Sequence, residues 1–127
     1  MVIKVNININ KVKIVVMVPR SNADSLREII CNTGAGVIGN YTDCSVSTKV
    51  IGTFKPNSKA NPTIGRKEKL VKVKEIKLEV ICIVEKVKEV LEVIKKNHPY
   101  ETPGIDIIPL MLSLIHISEP TRRSWIS

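Results

Sequence analysis

VKIVVMVPRSNADSLREIICNTGAG (12–36) sets the fold, because a later stretch, IKLEVICIVEKVKEVLEVIKKNHPY (76–100), repeats its plan. Each is an apolar strand followed by an amphipathic helix and a sharp stop, GAG in the first and HPY in the second. VKIVVMV begins 22 residues before Gly34, and IKLEVIC begins 22 residues before His98. KVKIVVMVP (11–19) is a β-branched run closed by Pro19, the pattern of a buried strand. In SNADSLREIICNT, Ser21 or Asn22 can cap a helix and Asp24 sits in its first turn. Leu26, Ile29 and Ile30 form its apolar stripe. In EKVKEVLEVIKKN, Val87, Val90, Leu91 and Ile94 recur at helical spacing, and Glu92 precedes Lys96 as an i,i+4 pair.

Between and beyond these units, NYTDCSVST favours a strand through Tyr41, Val46 and its threonines, with Cys44 on it as a small apolar residue. GTFKPNSKANPTIGR (52–66) holds two Gly, two Pro and two Asn, which predicts a long loop. Long loops in compact domains tend to carry function. VKVKEIKLEVICIV (71–84) resumes strand character, its interleaved Lys and Glu suggesting one solvated face, and GIDIIPL (104–110) is a final short strand. A duplicated split βαβ of this size predicts an α+β fold, the ferredoxin-like βαββαβ sandwich. That is an antiparallel four-stranded sheet with two helices on one face.

The domain so read covers residues 11–110. Residues 1–10, MVIKVNININ, alternate apolar residues with Asn and form an N-terminal extension, either an added edge strand or an over-extended start. LSLIHISEPTR (112–122) matches, residue for residue, the in-frame translation of a transposon-type sequencing adapter. Residues 111–127, with His116 and Trp125, are therefore expected to be an assembly artefact and disordered.

The 127 residues suit one domain, and 43% apolar content suits a folded one. Aromatics are 3%, leaving the core to Val, Ile and Leu. The formal charge of +8 becomes +7 without Arg122, Arg123 and Glu119, and lysine is spread along the chain. Nucleic-acid binding on an open sheet face needs stacking aromatics, where the third strand offers Lys and Glu; it ranks last. Cys31, Cys44 and Cys82 are odd in number and fit no metal spacing, so a reducing cytoplasm is expected. No apolar run approaches the roughly 18 residues of a membrane span, and no membrane partner is expected.

Gly34, Gly36 and Gly39 spell G-x-G-x-x-G. A dinucleotide fingerprint needs its glycines after a strand and at a helix N-terminus. Here they follow a helix, whose C-terminal end repels phosphate. We read them as a structural turn, with Gly34 in the left-handed position that ends the helix. In HPYE, His98 and Glu101 are candidate ligands for a divalent metal. The simpler reading of the same residues is a helix stop, with Pro99 breaking the helix. Lys55, Asn57, Lys59 and Asn61 make the long loop a candidate ligand loop. The predicted topology puts it at the HPYE end of the sheet and the GAG turn at the other. There is no paired-carboxylate motif, activated serine or metal cluster, so we expect no enzyme and no certain cofactor, a divalent cation being the one candidate.

VP (18–19), GAGVIGNYTDCSVST, GTFKPNSKANPTIG, the KL of residues 69 and 70, EV at 79 and 80, and HPYETPGIDIIPL together resemble the YqfO-type PII-like domain. That domain occurs free-standing and as an insert in Nif-three-like dinuclear-metal proteins. HPYE followed by proline also resembles the end of CutA proteins. The resemblance implies the ferredoxin-like fold, a homotrimer, and a non-enzymatic binding or regulatory role, with a dinuclear-metal hydrolase as candidate partner. Two positions depart from the pattern. Asp43 stands where such domains often have His, which weakens a metal site centred on Cys44. Ile83 stands where a proline usually precedes the second helix. The dinuclear-metal ligands of the Nif-three-like proteins lie in flanking regions that this sequence does not match.

Overall fold

The computed structural model describes the backbone of residues 5–115 and the side chains of residues 9–111. Its elements are β1 (Val5–Pro19), α1 (Ala23–Asn32), β2 (Val46–Phe54), β3 (Val71–Ile83), α2 (Val87–Asn97) and β4 (Ile105–Ile115). The sheet order is β2-β3-β1-β4, and every neighbouring pair is antiparallel. This is the ferredoxin-like arrangement.

Alternation on the two central strands builds the core. Val12, Ile14, Val16 and Val18 of β1 lie opposite Cys82, Val80, Leu78 and Ile76 of β3. Because cross-strand partners share a face, these residues present one apolar surface. Leu26 and Ile30 of α1 and Val90 and Ile94 of α2 complete the buried cluster. Burial pushes the Cys82 thiol up, as it does that of Cys31, where the Asp43 charge adds to the effect.

The duplication extends to detail. A 3₁₀ turn precedes each helix, Arg20–Asn22 before α1 and Val84–Lys86 before α2. Pro19 (φ −54°, ψ 142°) and Ile83 (φ −70°, ψ 152°) enter these turns with nearly the same backbone. The missing second proline therefore leaves the turn intact. Neither Ser21 nor Asn22 caps α1; the Ser21 hydroxyl instead donates to Asn22 Oδ1 at 3.3 Å. The tightened 3₁₀ turn stands where side-chain capping was expected. Among the described residues the ion pairs are Lys13–Glu79 and Lys86–Glu89, not Glu92–Lys96. Two exposed long side chains gain little by pairing.

Three boundaries differ from the sequence reading. β2 starts at Val46, so Cys44 precedes the strand: an Ile38–Tyr41 bridge and a left-handed Asp43 (φ 56°) keep residues 38–44 from extending. β2 also runs through Phe54 and β3 starts only at Val71, which shifts the loop to residues 55–70. Finally, Val5–Asn8 pair with Leu112–Ile115 after a register shift between Asn8 and Lys11. This backbone pairing makes residues 5–10 part of β1 and residues 111–115 strand rather than disordered. Residues 1–4 and 116–127, the latter with His116 and Trp125, lie outside the described residues.

The glycine turn joins the end of α1 to the end of β3. Gly34 (φ 100°), Gly36 (φ 76°) and Gly39 (φ 56°) all lie in the left-handed region. Gly34 N–H donates to Cys31 O at 3.0 Å, Gly36 N–H to Ile81 O at 2.8 Å, and Cys44 N–H to Gly36 O at 2.8 Å. The amides of Gly34 and Gly36 are thus engaged by backbone carbonyls, not offered to a phosphate.

Candidate functional site

The other end of the sheet carries the site. α2 ends because Pro99 biases His98 out of the helical region: His98 N–H still reaches Ile94 O at 2.8 Å, but its ψ of 137° is extended. The chain then turns back over the start of β3. His98 is 8% exposed, with Nε2 2.7 Å from Met17 O and Nδ1 accepting Tyr100 N–H at 3.1 Å. Only the neutral Nε2–H tautomer serves both bonds. With both nitrogens engaged, the ring can meet a metal only by releasing one of these partners.

Burial lowers the His98 pKa, against the opposing pull of the Met17 carbonyl and the Glu75 charge. A histidine whose folded value is depressed leaves stability intact above its unfolded value, about 6.5. Below that value the unfolded chain takes up the proton first, and stability falls as pH drops towards the folded value. We predict that the melting temperature declines between about pH 7 and pH 5.5, and that His98→Gln flattens that decline. A decline of equal slope in the variant counts against a neutral, buried His98.

Tyr100 packs between two rings tilted to its own, with centroids 4.9 Å from His98 and 6.0 Å from Phe54 at β2's end. Its hydroxyl donates to Glu75 Oε2 at 2.8 Å. Burial, then the Glu75 hydrogen bond and charge, push the phenol pKa up, so Tyr100 remains a donor. Glu75, in the middle of β3, is only 6% exposed. Its carboxylate occupies the hollow above Gly52 of β2, where a Cβ would overlap Oε1. Gly52 is not in the left-handed region, so this strand glycine provides room, not a turn.

The loop closes over these groups. Asn61 N–H donates to Glu101 Oε1 at 3.2 Å, and the Thr63 hydroxyl to Pro99 O at 2.7 Å. Together the two segments and the strand ends line an open-mouthed cavity of about 470 Å³. Of the residues singled out in the sequence, Lys55 and Glu101 line it, and Asn61 holds Glu101 in place. Asn57 stays within the loop, accepting Lys59 N–H at 2.9 Å, and His98 stands behind Tyr100. Glu75, Tyr100, Phe54 and Gly52 were missed. The available signal was a glycine inside a strand that has no backbone need for one. Among the described residues no group of three His, Cys, Asp or Glu side chains is placed to hold a metal ion.

A second hollow of about 510 Å³ lies on the helix-free face of the sheet, at the glycine-turn end, lined by Lys11, Lys13, Ile38, Cys44, Val46 and Glu79.

No family model matches the chain. Over 99 residues it is 46% identical to a Listeria innocua protein named GTP cyclohydrolase 1 type 2 homolog, covering 77% of this chain and 26% of that protein. A Bacillus subtilis protein of the same name is 39% identical over 98 residues, with 77% and 26% covered. Among solved structures, the Bacillus cereus protein related to NIF3 superposes with a TM-score of 0.70 at 32% identity, over 80% of this chain and 26% of that one. CutA from Synechococcus elongatus gives 0.62 over 85% and 83%; at 12% identity this shows the fold alone. The chain spans about a quarter of the length of the curated relatives it matches.

Proposed function

We propose that this chain, a PII/CutA-like domain homologous to a quarter of the Nif-three-like proteins, is a non-enzymatic oligomeric binding module. Its ligand, a small molecule or a divalent cation, enters the cavity between the 55–70 loop and the 98–104 segment. The carrying observation is that two segments distant in sequence are tied together, Asn61 to Glu101 and Thr63 to Pro99, around a hollow of about 470 Å³. A non-catalytic role is favoured by the engagement of both His98 nitrogens and by the burial of Cys31 and Cys82. Calorimetric and thermal-shift titrations with Cu²⁺, Zn²⁺, nucleotides and small organic ions test this. Silence across the whole panel overturns it.

The oligomer is the homotrimer that the resemblance implies, formed through the sheet face that the helices leave open. Val46 (43% exposed), Ile108 (46%) and Met111 (66%) support this, being large apolar side chains left in water. We predict a solution mass three times that of the chain, and a monomer for Ile108→Glu; a monomeric wild type removes the trimer. No helix among the described residues is long and apolar enough to cross a membrane. Three unpaired cysteines suit a reducing cytoplasm.

One observation favours a second reading: the matched stretch is a quarter of larger proteins. The domain then acts as an interaction or assembly module for a Nif-three-like dinuclear-metal hydrolase. Failure of the two purified proteins to co-elute removes that reading.

A further inference from the structure

The Glu75 carboxylate carries more chemistry than the fold uses. Oε2 accepts the Tyr100 hydroxyl at 2.8 Å, but Oε1 has no donor among the described residues. Neither ion pair among the described residues involves Glu75. The Arg20 guanidinium donates to the Glu75 backbone carbonyl at 3.3 Å and to Val50 O at 3.4 Å, not to the carboxylate. A carboxylate on a residue 94% removed from water and without an ion pair is expensive to keep unless something compensates it. Every fully sealed side-chain N or O atom among the described residues has a partner, so Oε1 is not sealed, and Glu75 lines the 470 Å³ cavity. Gly52 reinforces this. Any larger residue would fill the hollow that holds Oε1, and β2 tolerates a strand-interior glycine there without needing its backbone freedom.

The rest of the lining defines the complementary group. Phe54 and Tyr100, tilted at 59° to each other, supply aromatic surface beside the carboxylate. A second carboxylate, Glu101, faces the same space, against a single lysine, Lys55. An anion meets this excess of negative charge, and a neutral ligand leaves Oε1 desolvated without a charge partner. A divalent metal needs several oxygen or nitrogen ligands, and among the described residues no group of three His, Cys, Asp or Glu side chains is placed to supply them. Carboxylate plus aromatic rings is the chemistry that recognises an ammonium group. The volume suits a small organic molecule.

We propose that the cavity binds a small organic monocation, a primary alkyl- or arylammonium, whose N–H groups are accepted by Glu75 Oε1 while its apolar part lies against Phe54 and Tyr100. This rests on reading the cavity as a ligand site and selects the small-molecule branch of that reading.

The test titrates the 127-residue chain with benzylammonium, with benzyl alcohol as neutral analogue, benzoate as anion, and Zn²⁺ and a nucleotide as the competing classes. Benzylammonium is expected to bind and raise the melting temperature. Glu75→Gln, which keeps an acceptor for Tyr100, is expected to weaken it by roughly tenfold or more, the worth of a hydrogen bond to a charged group. Benzyl alcohol and benzoate are expected to bind no better than the variant does. Gly52→Ala gives a second, independent variant that displaces Oε1 without changing any charge, and it is expected to weaken binding alike. It carries the test if Glu75→Gln fails to fold. Binding of benzylammonium unaltered in either folded variant overturns the proposal. Binding of Zn²⁺, nucleotide or benzoate without benzylammonium overturns it too but leaves the cavity a ligand site. No binding by any probe overturns both. Loss of the oligomer in Glu75→Gln also overturns it, because the cation is then a basic side chain of a second copy.

Discussion

Gly36→Ala should destabilise the protein by about 3 kcal/mol, a large part of the 5–15 kcal/mol that holds a typical domain folded. Two effects add. A left-handed backbone costs a non-glycine residue about 1–2 kcal/mol. A Cβ at Gly36 would also come within 2.7 Å of Cys44 O and 3.2 Å of Cys44 N. Both are backbone atoms, pinned by the bond from Cys44 N–H to Gly36 O, so neither can move aside cheaply. Gly39 separates the terms: its φ of 56° carries the same backbone penalty, but nothing lies within 4 Å of its Cβ position. Gly39→Ala should therefore cost only about 1 kcal/mol. Urea unfolding of both variants checks this. Equal losses at the two positions would show that the Cys44 contact contributes nothing.

His98→Ala should cost about 3–4 kcal/mol, from the lost buried ring and from two backbone groups left without partners. The imidazole links Met17 O on β1 to Tyr100 N–H on the segment that returns over β3. Without it Tyr100 loses both its backbone anchor and the ring it packs against at 4.9 Å. The damage should spread to the cavity, so that the variant loses ligand response beyond its loss of stability. Hydrogen exchange of the Tyr100 amide reads the local effect. Protection equal to wild type in a folded variant would contradict the bridging role.

The helices and central strands were legible because their signals are local. Leu26 and Ile30, like Val90 and Ile94, recur at helical spacing, and the β-branched run from Val12 to Val18 reads as a buried strand without reference to other strands. The joining of the 52–66 stretch to HPYE followed from topology alone. The chemistry of the site did not. Glu75 sits in a run of alternating Lys and Glu that resembles a solvated strand face, and its burial depends on Gly52 and Tyr100, both more than 20 residues away. His98 was read as a metal candidate because a sequence shows a residue's donor atoms but not whether backbone groups already engage them. Strand ends were misplaced for a related reason. Asp43 is an ordinary residue in an unusual backbone state, and the extension of β1 exists through its pairing with residues 112–115.

The central position of β1 has a consequence for synthesis. β1 is made before either strand it pairs with, and both those neighbours, β3 and β4, are encoded far downstream of it. On a ribosome adding roughly 5–20 residues per second, VKIVVMV waits on the order of 3–15 seconds for its first sheet partner. During that interval it is an uncharged-rich, β-branched segment of the kind that pairs with other chains. The α1 helix, available early, can shield only one side of it. Nascent copies on one message are therefore most prone to stick together before residue 83 emerges, and a chaperone that grips extended apolar strands would act in that window.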